Sequence, residues 1–160
     1  TLSKKNIVYI GNQLTNKGLS PTTIDVLGYQ LEEIATVKRY SKKVNVLLRF
    51  LDMMLGIISN RKWSDVVLID TYSSFAFYYA AFAALLAYYL KIPYILILHG
   101  GNLERRLRNK TKFANFMFKH SDTMVAPSGF MCELFHKYGY NNIELICNLS
   151  FKCPQAFRLC

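Results

Sequence analysis

Six short apolar runs punctuate the chain: Ile7–Ile10, Ala35–Tyr40, Val66–Asp70, Tyr94–Leu98, Thr123–Ala126 and Ile143–Cys147. Each is of strand length and rich in β-branched or aromatic residues. Between them, Thr22–Glu33, Val46–Asn60, Phe75–Leu90, Leu103–His120 and Gly129–Tyr138 place apolar positions at helical spacing. The alternation predicts βαβ units with right-handed crossovers, hence an α/β, Rossmann-like, mostly parallel sheet with helices on both faces. The runs VVLI and YILIL lack any in-and-out alternation, as strands buried on both faces should. Residues 1–149 form this domain, and 150–160 are a short unassigned tail.

Phe75–Leu90, FAFYYAAFAALLAYYL, carries no charge over sixteen residues. A membrane span needs about 20 apolar residues, and lengthening this run means crossing Lys91 and Pro93, where proline breaks a helix. A buried helix is the better expectation, because Ala80, Ala81, Ala83 and Ala84 allow close packing on strands. Val46–Ile58 is also unusually apolar and adjoins the basic run Lys38–Lys43. It either packs on the sheet, the favoured reading, or forms an interfacial membrane patch. No secretory signal is read at the start of the chain.

A hydrophobic fraction of 52% against 19% charged residues places the chain among folding sequences rather than disordered ones. Its four cysteines, Cys132, Cys147, Cys153 and Cys160, form no C-x-x-C pair, and no histidines stand beside them at ligand spacing. No metal site is read, and buried reduced thiols are expected for Cys132 and Cys147. The formal net charge of +10 favours anionic partners. Lys38, Arg39, Lys42 and Lys43 form one basic cluster, and Arg105, Arg106 and Arg108, with Lys110 and Lys112, form another. They are either solvated faces or an anion-binding surface. Neither cluster is interleaved with aromatics in a nucleic-acid-binding pattern, so no nucleic-acid partner is expected.

In an open parallel sheet, ligands bind beyond the carboxyl ends of the strands. The segments there are Gly11–Gly18, Asp70–Ser74, His99–Asn102 and Pro127–Gly129. His99-Gly100-Gly101-Asn102 is the sharpest of them. A strand-end imidazole can donate, accept or carry charge near neutral pH, and two glycines let backbone approach a ligand. Asn102 suits the N-cap of the next helix. The alternative for His99 is a bond to a loop carbonyl. Gly11, Asn12, Lys17 and Gly18 belong either to a loop offering N–H groups to a phosphate or to a plain surface loop. G-x-G-x-x-G and the P-loop pattern are both absent. Asp70, Thr71 and Tyr72 bring a carboxylate and hydroxyls to the same edge, with Asp70 either capping the next helix or contacting substrate. Ser128 is better read as a helix cap than as a ligand contact.

Together, VVLIDTYSS before a long apolar helix, KIPYILILHGGNLERRL, and SDTMVAPSGFMCELFHKYGY before IELICN resemble the N-terminal, acceptor-side domain of family 4 glycosyltransferases over about residues 5–149. These are retaining enzymes of the GT-B fold, in which two Rossmann-like halves face a cleft, so this chain is expected to be one half of such a fold. The resemblance implies that His99 faces the transferred sugar, positioning it and supporting charge in the transition state. It places the stretch around Gly11 and Lys17 near the donor diphosphate and the acceptor. It implies a nucleotide-sugar co-substrate, a glycan or lipid-linked acceptor, no cofactor and no bound metal. Cys147 stands where the family carries proline.

The donor-side half with its E-x7-E motif is not recognised here, so activity is expected to need that half or a partner that supplies it. The expected setting is cytoplasmic, at the inner face of an anionic membrane. The alternative is a noncatalytic module that binds anionic lipid, glycan or a partner subunit.

Overall fold

The computed structural model describes residues 4–12, 22–40, 42–100, 102–109 and 111–146. In chain order the elements are β1 (Lys5–Ile10), α1 (Thr23–Glu32), β2 (Ala35–Tyr40), α2 (Val46–Ser59), β3 (Val66–Tyr72), α3 (Ala76–Tyr89), β4 (Tyr94–His99), α4 (Leu103–Arg108), α5 (Lys112–Lys119), β5 (Thr123–Ala126), α6 (Gly129–Lys137) and β6 (Ile143–Leu145). The six strands form one sheet in the order β2-β1-β3-β4-β5-β6, and every pair is parallel. The α/β, Rossmann-like architecture is therefore as the hydrophobic rhythm predicts.

The main departures from the sequence reading each have a local reason. The run Leu103–His120 is not one helix but two, because the backbone turns at Asn109 and Thr111 begins a new helix, its hydroxyl accepting the Ala114 N–H at 3.3 Å. Strands β3 and β4 run past the apolar stretch to Tyr72 and His99, since Thr71 pairs with Leu98 and Tyr72 with His99. The expected end of the last strand at Cys147 lies outside the described residues.

The helices are shared unequally between the faces. Among the described residues, α1 alone covers one face, where Ile24 meets Ile7, Tyr9, Ala35, Leu68 and Ile97. The other five helices cover the opposite face around Val8, Ile10, Val67, Ile69, Leu96 and Leu98. Helix α3 is buried through Phe77 and its alanines, as expected for an apolar helix clad in small residues. No helix among the described residues is long and apolar enough to cross a membrane. On α2, Gly56 lies against the Tyr40 ring, so that a methyl group there would come within 2.7 Å of it. Asn60 locks this corner by donating to the Gly56 carbonyl at 2.7 Å and to the Tyr40 hydroxyl at 3.0 Å.

Candidate active site at the sheet switch point

From β1 the chain crosses over α1 to β2 at one edge, then returns past β1 to β3. Neighbouring connections diverge between β1 and β3, and this is where an open parallel sheet forms a crevice at its carboxyl edge. Strand alternation decides which side chains meet there. Tyr9 pairs with Leu68, so Tyr9, Asp70 and Tyr72 share a face, and Tyr72 pairs with His99.

Asp70 is the hub. Its Oδ1 accepts the Tyr9 hydroxyl at 3.0 Å and lies 3.0 Å from His99 Nε2. Burial, reinforced by the Asp70 charge, raises the Tyr9 pKa far above the usual phenol range, so Tyr9 remains a donor. An ionised carboxylate can only accept, which assigns the proton of neutral His99 to Nε2 and leaves Nδ1 as an acceptor. Among the described residues Nδ1 has no partner. The imidazole stacks on the Tyr72 ring, with centroids 4.6 Å apart and planes 18° from parallel. The Tyr72 pKa is pushed up to about 12, first by burial and then by the Asp70 charge, with a Thr23 hydrogen bond opposing the rise. Tyr72 is therefore a neutral phenol at physiological pH.

The second carboxylate oxygen of Asp70 is buried without a hydrogen-bond partner among the described residues. It faces the Gly11 backbone so closely that a methyl group on Gly11 would stand 2.5 Å from it. Beside it is a cavity of about 10 Å³ whose walls include Gly11, Asn12, Asp70, Tyr72 and Tyr79. That is room for one hydroxyl or water.

Gly11, Asn12, Asp70, Tyr72 and His99 thus come together as the sequence suggests. Asp70 does not cap α3, because its oxygens are turned into the strand edge. Phe77 N–H is instead satisfied by the Ser74 carbonyl at 3.0 Å. Thr71 alternates to the opposite face, where it is fully buried and its hydroxyl reaches the Ile69 carbonyl at 3.4 Å. Gly100 adopts φ +85°, the left-handed turn that carries the chain off β4. Asn102 occupies the N-cap position of α4, but its side chain makes no capping bond. Ser128 does cap α6, its hydroxyl accepting the Met131 N–H at 3.4 Å. Lys17, Gly18 and Gly101 lie outside the described residues.

Much of the basic clustering is internal bracing. Lys38 donates to Asn60 Oδ1 at 2.7 Å and lies over the Trp63 ring. Arg39 pairs with Glu32 at 2.9 Å and stacks over Tyr29. Arg106 donates to the Ser73 carbonyl at 3.1 Å and covers Phe77, tying α4 to the loop after β3. Arg108 forms an exposed pair with Glu104 at 3.3 Å. Lys42, Lys43 and Arg105 are exposed.

Two site residues escape a reading of the sequence alone. Tyr9 stands inside an apolar strand and reads as core. Arg49 looks like a mere interruption of an apolar helix, yet it reaches the Lys43 carbonyl at 2.8 Å, the Val44 carbonyl at 3.2 Å and Asn12 Oδ1 at 3.3 Å. It clamps the start of α2 to the loop after β1. Asn12 is held a second time, its carbonyl accepting the Thr22 hydroxyl at 2.9 Å. Among the described residues, no group of three or more histidine, cysteine or acidic side chains is placed to hold a metal ion.

The family model described as Glycosyltransferase Family 4 matches residues 11–149, from Gly11 through every described strand after β1. No curated protein matches the chain.

Proposed function

This chain belongs to glycosyltransferase family 4, and on that footing we propose that it is the acceptor-side half of a retaining hexosyltransferase. The reaction moves a sugar from a nucleotide-sugar to a hydroxyl of a glycan or lipid-linked acceptor at the cytoplasmic face of a membrane. The bond from the anomeric carbon to the diphosphate oxygen breaks, a bond from that carbon to the acceptor oxygen forms, and the acceptor's proton passes to the departing diphosphate. The nucleotide is held by a second half, contributed by further chain or by a partner.

The single observation that carries this reading is the Tyr9–Asp70–His99 chain at the switch point. Asp70 fixes the ring's orientation, so His99 Nδ1 can accept a sugar hydroxyl without reorganising when the sugar arrives. The carboxylate lies behind that ring, where its charge favours positive charge developing on the sugar. Tyr72 supports the ring from one side, and Gly11 and Asn12 close the other wall of the crevice.

The test is label transfer from nucleotide-sugars to cell-derived acceptors, with a family 4 donor-side domain supplied. Binding of acceptor without transfer under every donor would support the noncatalytic module instead.

A further inference from the structure

A pocket of about 540 Å³ opens at the amino edge of the sheet, where α3 runs into β4 and α5 into β5. Its volume is that of a small-molecule site. Strand β4 starts at this edge and ends at His99, about 17 Å away, so the pocket is no part of the crevice at the carboxyl edge. Tyr88, Tyr89, Lys91 and Pro93 line it from one loop, and His120 and Asp122 from the other. The Asp122 N–H donates to the Tyr94 carbonyl at 3.0 Å and ties the two loops together.

Lys91 has an unusual backbone. With φ 57°, it is the one residue other than glycine at positive φ among the described residues. Helices α3 and α6 end in the same turn. After α3, the Lys91 and Ile92 N–H groups donate to the Tyr88 and Ala87 carbonyls at 3.0 and 2.9 Å. After α6, the Gly139 and Tyr140 N–H groups donate to the His136 and Phe135 carbonyls at 2.9 and 3.1 Å. Gly139, at φ +88°, is the residue such a turn favours. A lysine in the equivalent place is strained, and the turn itself gives no reason for it. What the lysine adds is an ammonium group at the pocket, and strain of this kind gathers at ligand sites.

The lining offers donors, acceptors and apolar rings together. Lys91 can only donate and ionised Asp122 can only accept, and neither side chain forms a hydrogen bond or ion pair among the described residues. His120 Nδ1 lies 2.9 Å from the Phe116 carbonyl, and its ring stacks on Phe116 with centroids 4.4 Å apart. A carbonyl only accepts, so the proton of neutral His120 is on Nδ1 and Nε2 is left as an acceptor. Tyr88 and Tyr89 are 44% and 73% exposed, offering ring surface that gains by being covered. A phosphate would meet the Asp122 charge, and an ammonium ligand the Lys91 charge. An uncharged sugar, whose hydroxyls both donate and accept and whose C–H face is apolar, matches every group.

We infer that this pocket binds a short uncharged carbohydrate, its pyranose rings against Tyr88 and Tyr89 and its hydroxyls shared among Lys91, His120 and Asp122. The inference goes beyond the transferase reading and does not depend on it. The site holds a glycan at the opposite edge of the sheet from His99, away from any transfer.

The test is proton NMR of the chain titrated with cellobiose, maltose and diacetylchitobiose, with tetramethylammonium and inorganic phosphate as charged comparisons. At least one sugar should shift the ring signals of Tyr88, Tyr89 and His120 and saturate them with a Kd on the order of 1 mM. Tyr89→Ala and Asp122→Ala should each weaken that binding by about tenfold. Tyr29→Ala, at an exposed tyrosine of α1, should leave it unchanged. Lys91→Gly should weaken it by about fivefold while raising the thermal midpoint by about 2–4 °C as the strain is relieved. All four sites are exposed, and circular dichroism checks that the fold survives.

Rings unmoved by all three sugars, saturable shifts with phosphate or tetramethylammonium alone, an equal loss with Tyr29→Ala, or wild-type affinity in Lys91→Gly would each overturn the inference. Sugar transfer with these rings unmoved would sink the pocket and spare the transferase reading. Sugar binding at these rings without transfer under any donor would do the reverse.

Discussion

His99 Nε2 lies 3.0 Å from Asp70 Oδ1, in an edge where the same oxygen also takes the Tyr9 hydroxyl. One carboxylate oxygen therefore orients two side chains from two other strands. Replacing Asp70 with asparagine keeps the shape but removes the preference for a proton on Nε2. Nitrogen NMR should find the Nε2–H tautomer in the parent chain and a mixture in Asp70→Asn. Transfer should fall by about 100-fold. An unchanged tautomer in Asp70→Asn would contradict this role for Asp70.

Tyr9 is fully buried, and its hydroxyl is committed to a carboxylate. Tyr9→Phe should cost about 2 kcal/mol in urea unfolding, as expected for a lost hydrogen bond to a charged group. A cost within a few tenths would show that the hydroxyl contributes nothing to holding Asp70.

Tyr72 has its pKa raised to about 12 by burial and the Asp70 charge. The unfolded phenol ionises near pH 10, so the stabilising preference for the neutral form is fully present below pH 10. It is lost as pH rises through about 12. Urea midpoints should fall over that window, and Tyr72→Phe should flatten part of the fall, leaving the share due to Tyr9 and Tyr94. An identical alkaline slope in Tyr72→Phe would refute this assignment.

Gly11 and Gly129 separate close approach from mere flexibility. A methyl group at Gly11 would press on the Asp70 carboxylate, whereas one at Gly129, in the first turn of α6, would meet nothing within 4 Å. Gly11→Ala should destabilise the chain by about 1–3 kcal/mol. Gly129→Ala should be neutral or stabilising by up to about 1 kcal/mol. Thermal unfolding of the two variants side by side checks the contrast, and equal effects would contradict it.

Arg105 and Arg106 are neighbours in sequence with different roles. Arg106 bonds the Ser73 carbonyl and covers Phe77, while Arg105 is exposed. Arg106→Ala should cost about 1–3 kcal/mol, and Arg105→Ala less than about 0.5 kcal/mol. Equal small costs in denaturant unfolding would restore the view of both as surface charges.

What sequence makes legible follows from the range of each interaction. The apolar runs and their helical spacers are local patterns, and they place all six strands and the buried α3. Strand-end position singles out Asp70 and His99 for the same reason. Which of Asp70, Thr71 and Tyr72 face the crevice depends on register against β4, and so Thr71 is misplaced by one step of the pleat. Arg49 and Tyr9 act across the fold, 37 and 61 residues from Asn12 and Asp70, and no local pattern carries such pairs. The break between α4 and α5 hinges on one threonine cap inside an amphipathic run. The basic clusters are visible as charge, but only packing shows that Lys38, Arg39 and Arg106 are engaged within the protein.

The most direct test of the central claim measures sugar transfer by the wild-type chain and by His99→Ala, each combined with a family 4 donor-side domain. The account predicts transfer by the wild type and a rate lower by about 100-fold or more for His99→Ala, with the fold unchanged by circular dichroism. Transfer by His99→Ala at the wild-type rate would contradict the account.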